Sequence, residues 1–234
     1  MPFDGCVLIT GAAGQLGHAV VEHFADRGES LALLGRERAA LETLIERLPG
    51  TTALPLAADL LDPAQVAAAV DAAVARFGGI AAAVHLAGGF AMGEAVHETP
   101  ASTWQRMLDL NVNTMLHSAA AVVPVMRRAR GGYIVNVGAV SAQRGAARMG
   151  AYIAAKSALM RLTESMSAEL RDEGIHVNAV LPSIIDTPAN RQAMPAADPA
   201  RWVAPDALAA VIGFLASDAA RAVHGALIPV TGRS

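Results

Sequence analysis

Tyr152 and Lys156 stand four positions apart in the run GAYIAAKSALM. On a helix that spacing places a phenol and an ammonium on one face. A free phenol titrates near pH ~10, too high for ready proton exchange at neutral pH. A cation beside it favours the phenolate and lowers that value. Such a pair can pass a proton to or from a substrate oxygen or nitrogen. The spacing alone also fits a half-buried tyrosine with a solvated lysine, so the rest of the chain must decide between the two. A second group of residues bears on this. Thr10-Gly11-Ala12-Ala13-Gly14-Gln15-Leu16-Gly17 follows an apolar run directly and opens a segment of helical period. Glycines there allow a tight turn and let an anion approach the backbone, and the first N–H groups of the following helix face that anion. The spacing differs from the common G-x-G-x-x-G, because the glycines fall at 11, 14 and 17.

The elements that must position these groups alternate. Short apolar runs at 6–10, 30–35, 53–57, 80–86, 132–138, 176–181 and 226–229 read as strands. Segments of helical period lie at 15–27, 36–48, 63–77, 101–128, 151–173 and 205–217. Pro63 and Pro205 suit a first helical turn, and Gly28 and Gly174 suit a helix end. Pro124 falls inside the fourth helix, where it is expected to kink the last turn. The alternation predicts an α/β domain, a doubly wound parallel sheet with helices on both faces, spanning 1–234 as one unit. Residues 187–202 break the rhythm and read as a lid loop over a site or as a surface insertion.

Composition narrows the function classes. The 234 residues carry a net charge of −3 and no basic run longer than Arg127-Arg128, which argues against nucleic acid as a partner. The single cysteine, Cys6, excludes an internal disulfide framework and fits a reducing, cytoplasmic setting; its plain reading is a small buried hydrophobe. MPFDGCVLIT lacks the basic and long apolar regions of a signal peptide, and no apolar stretch is long enough for a membrane span. No metal-ligating cluster stands out.

The end of the second strand reads Leu34-Gly35-Arg36-Glu37-Arg38. Its tip has no carboxylate for a ribose 2′-hydroxyl, and Arg36 can take a 2′-phosphate. This favours NADP(H) over NAD(H). Asp59, with Leu60 beside it, is placed to meet an adenine amino group or else to cap a turn.

Taken together, the strand, the TGxxGxxG turn and the later YxxxK resemble the short-chain dehydrogenase/reductase family over nearly the whole chain. The resemblance implies a Rossmann-like seven-stranded parallel sheet and hydride transfer between a nicotinamide and a small-molecule substrate. Tyr152 would be the acid/base, and Lys156 would bind the nicotinamide ribose and lower the tyrosine pKa. Asn111, in DLNVNT, would support the proton relay. Ala87-Gly88 matches the family's Asn-Asn-Ala-Gly stretch, and Pro182, Ile184 and Thr187 match the segment that cups the carboxamide. The long helices 101–128 and 151–173 correspond to those that form homodimers or homotetramers in the family, although burial within one chain would equally explain their alanines.

Three departures stand out. His85-Leu86 replaces two asparagines, which removes a local hydrogen-bonding device. Gln15 replaces a glycine. Ala139 occupies the position of the catalytic serine, thirteen before the tyrosine, and a methyl group cannot donate a hydrogen bond. Ser141 is a candidate substitute donor. Dihydropteridine reductases are a branch with the same alanine, and LPSIIDTPANRQAMPAADPARW is similar to their corresponding segment. The expected activity is therefore NAD(P)H-dependent reduction of a carbonyl or conjugated, quinonoid substrate. The alternatives are an ordinary ketone or 3-oxoacyl reductase using Ser141, or a non-catalytic dinucleotide sensor.

Overall fold

The computed structural model describes residues 4–234. The first three residues, which open both the expected single domain and the stretch tested for a signal peptide, lie outside the described residues. Seven strands form one wholly parallel sheet. They are β1 (Cys6–Thr10), β2 (Leu31–Gly35), β3 (Ala53–Ala57), β4 (Ile80–His85), β5 (Gly132–Val137), β6 (Ile175–Pro182) and β7 (Leu227–Val230), in the spatial order β3-β2-β1-β4-β5-β6-β7. The order reverses between β1 and β4. A crevice for a ligand opens at such a switch point, beyond the carboxyl ends of the strands.

Side chains alternate across the sheet because the strand period is two. Val7 and Ile9 of β1 join a core with Val20, Phe24, Leu41, Leu208 and Ile212. Those partners come from α1 (Gln15–Asp26), α2 (Arg38–Glu46) and α8 (Pro205–Leu215). Cys6 and Leu8 face the other way, toward Val66, Val70, Val122 and Met126 of α3 (Pro63–Phe77) and α5 (Thr114–Ala129). Burial pushes the Cys6 thiol up to about 12, so it is an inert packing group. Local chemistry sets the helix ends. Asp62 caps α3 by accepting from Ala64 N at 2.9 Å and Gln65 N at 3.2 Å. Gly78, with φ +83, ends the same helix in the left-handed region.

Two expectations about the long segments are corrected. The single helix expected over 101–128 is three pieces: α4 (Ala101–Leu108), a π-helical turn (Asp109–Asn113) and α5. The cause lies in the polar run itself. Asn113 Nδ2 and Gln105 Nε2 both donate to Asp109 Oδ1, at 2.7 and 2.9 Å, and Thr114 Oγ1 donates to Leu110 O at 2.9 Å. Side chains of this kind compete with the regular backbone ladder. Beyond the break, α5 continues through Pro124 to Ala129. The expected loop 187–202 is also structured. It holds α7 (Pro188–Ala193), capped by Thr187 Oγ1 accepting from Asn190 N at 3.2 Å, and a 3-10 turn at Pro199–Arg201. Its ends are closed by a bridge between Ile185 and Val203. The last long helix, α6 (Gly150–Leu170), carries the tyrosine and lysine. Among the described residues, no helix is long and apolar enough to cross a membrane.

Candidate active site

A cleft of about 530 Å³ lies at the switch point. It is floored by Gly11, Ala13 and Gly14 after β1, flanked by Arg36 and Glu37 after β2 and by Asp59 and Leu60 after β3, and closed by Ala87 and Gly88 after β4. The glycines are needed here for steric reasons. Gly11 has φ +70, and a Cβ on it would stand 2.9 Å from Ala87 N. A Cβ on Gly17 would meet the carbonyl oxygens of both Ala12 and Gly11. Gly14 is the N-cap of α1, with no side-chain cap and no acidic residue in the first turn. The first N–H groups of α1 are therefore left for an anion. Gln15 and Leu16 open that helix outside the cleft wall. A backbone cradle that admits no side chain, set at a helix N-terminus, fits the diphosphate of a dinucleotide.

The far end of the cleft meets the proton-transfer candidates. A Cβ on Gly88 would lie 2.9 Å from Asn111 Oδ1 and 3.3 Å from Lys156 Nζ, so the cleft wall touches both side chains. The π-turn directs Asn111 inward, where it is fully buried. Its Nδ2 donates to Met107 O at 3.0 Å and Gly89 O at 3.1 Å, and its Oδ1 accepts from Gly89 N at 3.1 Å. Lys156, also buried, donates to Val137 O at 2.7 Å. Tyr152, one turn earlier on α6, packs between the clusters around Ala139 and around Met107. The Phe90 ring meets it edge-on at 4.9 Å.

Electrostatics depart from the expectation that Lys156 draws the phenol down. Burial pushes Tyr152 up to about 12 and Lys156 down to about 8. Desolvation dominates both groups because the ammonium is bonded to a strand carbonyl rather than to the phenol.

Ala139 sits between Val137 and the 3-10 turn Val140–Gln143. It is 4% exposed and belongs to a core cluster with Met160, Ala179 and Leu181, against which Tyr152 also packs. Ser141 lies partly exposed in the turn itself. The expected loss of a hydrogen-bonding device at His85 is corrected. His85 Nδ1 meets Asn136 Oδ1 at 2.7 Å, and Nε2 meets Ser118 Oγ at 2.9 Å. Asn136 Nδ2 donates to Thr163 Oγ1 at 2.9 Å, and Thr163 donates to Leu159 O at 2.9 Å. The imidazole thus supplies a hydrogen-bonding network of its own at this position.

The short chain dehydrogenase family pattern matches residues 5–198. The chain belongs to that family. The cis-4-hydroxycyclohexanecarboxylate dehydrogenase of Sinomonas cyclohexanicum is 33% identical, over 96% of this chain and 94% of its own. The levodione reductase of Leifsonia aquatica is 30% identical, over 98% and 93%. A solved NAD+-bound xylitol dehydrogenase superposes with a TM-score of 0.90 at 28% identity, over 99% of this chain and all of its own. As a family member the chain is an NAD(P)-dependent oxidoreductase.

Within this dehydrogenase scaffold, Gly11, Ala13, Gly14, Arg36, Asp59, Leu60, Ala87 and Gly88 come together in one cleft. Asp59 also serves its turn, Oδ1 accepting from Leu61 N at 2.9 Å. Pro182 ends β6, Ile184 O accepts from Val203 N at 2.8 Å, and Thr187 caps α7. These three stand on the segment leaving β6, apart from the residues lining the cleft. Sequence reasoning missed Glu37, Leu110 and Thr114 as cleft residues. The polar cluster in DLNVNT was the available signal for the last two.

Proposed function

We propose that this enzyme reduces electrophilic conjugated carbonyl or quinonoid compounds, dihydropteridine-like ones among them, and that Tyr152 gives the proton. The observation that carries the reading is Ala139. A buried methyl stands beside Tyr152 where the family places a hydroxyl donor. Losing one such donor costs about 3 kcal/mol of transition-state stabilisation on an unactivated carbonyl. A quinonoid acceptor is already electrophilic and needs less polarisation. The resemblance read in the sequence between Leu181–Trp202 and dihydropteridine reductases motivates the same class, and the relative named for cis-4-hydroxycyclohexanecarboxylate, a saturated ring, supports only that the substrate bears a ring.

A reduced nicotinamide in the cleft would supply the hydride. The glycine turn would hold the diphosphate, Asp59 and Leu60 would border the adenine, and Pro182, Ile184 and Thr187 would hold the carboxamide end. Arg36 pairs with a 2′-phosphate, so NADP(H) is preferred over NAD(H) even with Glu37 adjacent. Hydride would form a new C–H bond at the substrate carbon, the displaced π pair would pass to an oxygen or nitrogen, and the Tyr152 hydroxyl would give that atom its proton. Lys156 and Asn111 orient the path by which the phenol recovers a proton from water. The long helices α5 and α6 pair with a second copy in a homodimer or homotetramer.

The test is an assay with NADPH and NADH against quinonoid dihydropterin, quinones, diketones and 3-oxoacyl thioesters. Turnover of the conjugated acceptors, lost in Tyr152→Phe, supports the reading. Fast turnover confined to simple ketones refutes it. Undiminished nucleotide binding with no turnover on any acceptor would identify a sensor instead. Arg36→Asp should reverse the preference between the two nucleotides.

A further inference from the structure

Phe90, Met92 and Val96 are the most exposed large hydrophobic residues described, at 55%, 58% and 59%. All three lie in the irregular stretch between β4 and α4. A single exposed apolar residue is ordinary on a protein surface. Here, however, the backbone on either side of Phe90 is tied down at both ends. Asn111 pairs with both the N–H and the C=O of Gly89, at 3.1 Å each. Arg148 does the same to Gly93: its carbonyl accepts from Gly93 N at 2.9 Å and its Nη1 donates to Gly93 O at 2.8 Å. Arg148 holds this clasp in the left-handed region, φ +62, which is unfavourable for a side chain of its kind. Four hydrogen bonds and a strained residue thus fix a five-residue segment whose aromatic side chain stays largely in solvent. Core packing does not explain that arrangement. The ring contact Phe90 makes is to Tyr152, with centroids 4.9 Å apart and planes at 73°. The two rings form a corner, and Phe90 keeps 55% of its surface exposed beside it.

We infer that Phe90 is the specificity-determining wall of the substrate site, and that it selects flat conjugated rings over puckered saturated ones. This rests on the reading that substrate lies against Tyr152. A planar π-system can stack on the exposed Phe90 ring while its reacting oxygen or nitrogen meets the Tyr152 hydroxyl. A saturated ring presents axial hydrogens to that ring and loses the offset-stacked geometry that aromatic pairs prefer. The Asn111 and Arg148 clasps are positioning devices. They hold the wall at fixed distance from the phenol, so that little ordering remains to be done when substrate binds.

The experiment compares menadione, a planar quinone, with cyclohexanone in wild type, Phe90→Leu, Phe90→Trp and Arg148→Gly. Leucine keeps apolar bulk without a flat face. The ratio of kcat/KM for menadione over cyclohexanone should fall about tenfold in Phe90→Leu, mainly through KM, and recover in Phe90→Trp. Arg148→Gly removes the guanidinium bond while relieving the backbone, and should lower the same ratio in the same direction. Calorimetry of menadione binding to wild type and Phe90→Leu reads the wall without requiring turnover. A matching loss of affinity supports it even if catalysis fails, in which case only the proposed reaction is refuted. Equal losses for both substrates, or an unchanged ratio together with unchanged menadione affinity, would overturn the inference.

Discussion

His85 gives the sharpest quantitative test of the structure. It is fully buried at the centre of the sheet, and its bonds fix its protonation. Asn136 Nδ2 donates to Thr163, so Oδ1 faces His85 Nδ1, which must carry the hydrogen, and Nε2 then accepts from Ser118. A second proton would make Nε2 a donor, so the Ser118 hydroxyl would have to turn to accept it, and a charge would sit in the core. Burial accordingly lowers its pKa from 6.5 to about 4, with the Asn136 bond opposing. The folded chain refuses a proton that the unfolded chain accepts. Stability from this group is therefore fully present above pH 6.5 and is lost as pH falls toward 4. The full difference is about 3 kcal/mol, and about 2 kcal/mol of it is lost between roughly pH 7.5 and pH 5. Urea unfolding at those two pH values should show that loss in wild type. His85→Asn keeps an amide in the network but cannot titrate, so its stability should change by about 2 kcal/mol less over the same interval. Burial also lowers His23 and His176. Both remain in the variant, so the difference between the two proteins isolates His85. Equal pH dependence in the two would refute the assigned burial and tautomer.

Gly17→Ala places a methyl against the Gly11 and Ala12 carbonyls, 2.5 Å from the former; nucleotide affinity, measured by fluorescence titration, should fall at least about tenfold, with lower thermal stability. Ala139→Ser restores a hydroxyl near Tyr152 and should raise kcat/KM for cyclohexanone by about a hundredfold, whereas Ser141→Ala should change it by less than about twofold. A gain absent in the first variant and a large loss in the second would make Ser141 the donor. Because burial raises Tyr152 to about 12, its phenol stays protonated at neutral pH. Ketone reduction should vary little with pH below about 7, where Tyr152 and Lys156 both stay protonated, while alcohol oxidation, which needs the phenolate, should rise up to about tenfold per pH unit; a flat oxidation profile would contradict the role given to burial.

How much the chain reveals before its structure is known depends on where its polar residues act. All seven strands and most of the helices beside them follow from apolar periodicity, because the central strands are buried on both faces and the edge strands β3 and β7 are still short apolar runs. Cys6–Thr10, Ala53–Ala57 and Pro63–Phe77 match residue for residue. Periodicity fails where side chains override the backbone ladder. DLNVNT has the apolar spacing of a helix, yet its Asp and Asn side chains bond one another and open a π-turn that only tertiary packing against Gly89 completes. Thr187-Pro188 carries a plain helix-start signal that the surrounding prolines obscure. The cleft residues are legible because glycine and helix-start chemistry is local. The Phe90 wall is not, because the bonds that hold it join residues 22 and 55 positions apart.

The His85 network lies on β4, β5, α5 and α6, the elements that carry or adjoin the candidate proton-transfer residues. His85 ends β4, and the next residues, Leu86 to Gly88, form the cleft wall that touches Asn111 and Lys156. Asn136 precedes Val137, whose carbonyl holds the Lys156 ammonium. Thr163 lies two helical turns beyond Lys156 on α6, and Ser118 lies on α5 two turns beyond Asn111. Each member of the buried chain therefore fixes an element that presents a member of the site. A residue that bonds across β4, β5, α5 and α6 sets their relative register more strictly than apolar packing can, because a hydrogen bond tolerates a few tenths of an ångström where a leucine contact tolerates more. The neutral imidazole suits this position, since it spans from Asn136 to Ser118 with one donor and one acceptor and leaves no polar atom unpaired. The departure from the family's asparagine pair thus adjoins the candidate site through its elements: β4 runs from His85 into Gly88, whose position borders Asn111 and Lys156, and β5 runs from Asn136 into Val137, which holds the Lys156 ammonium.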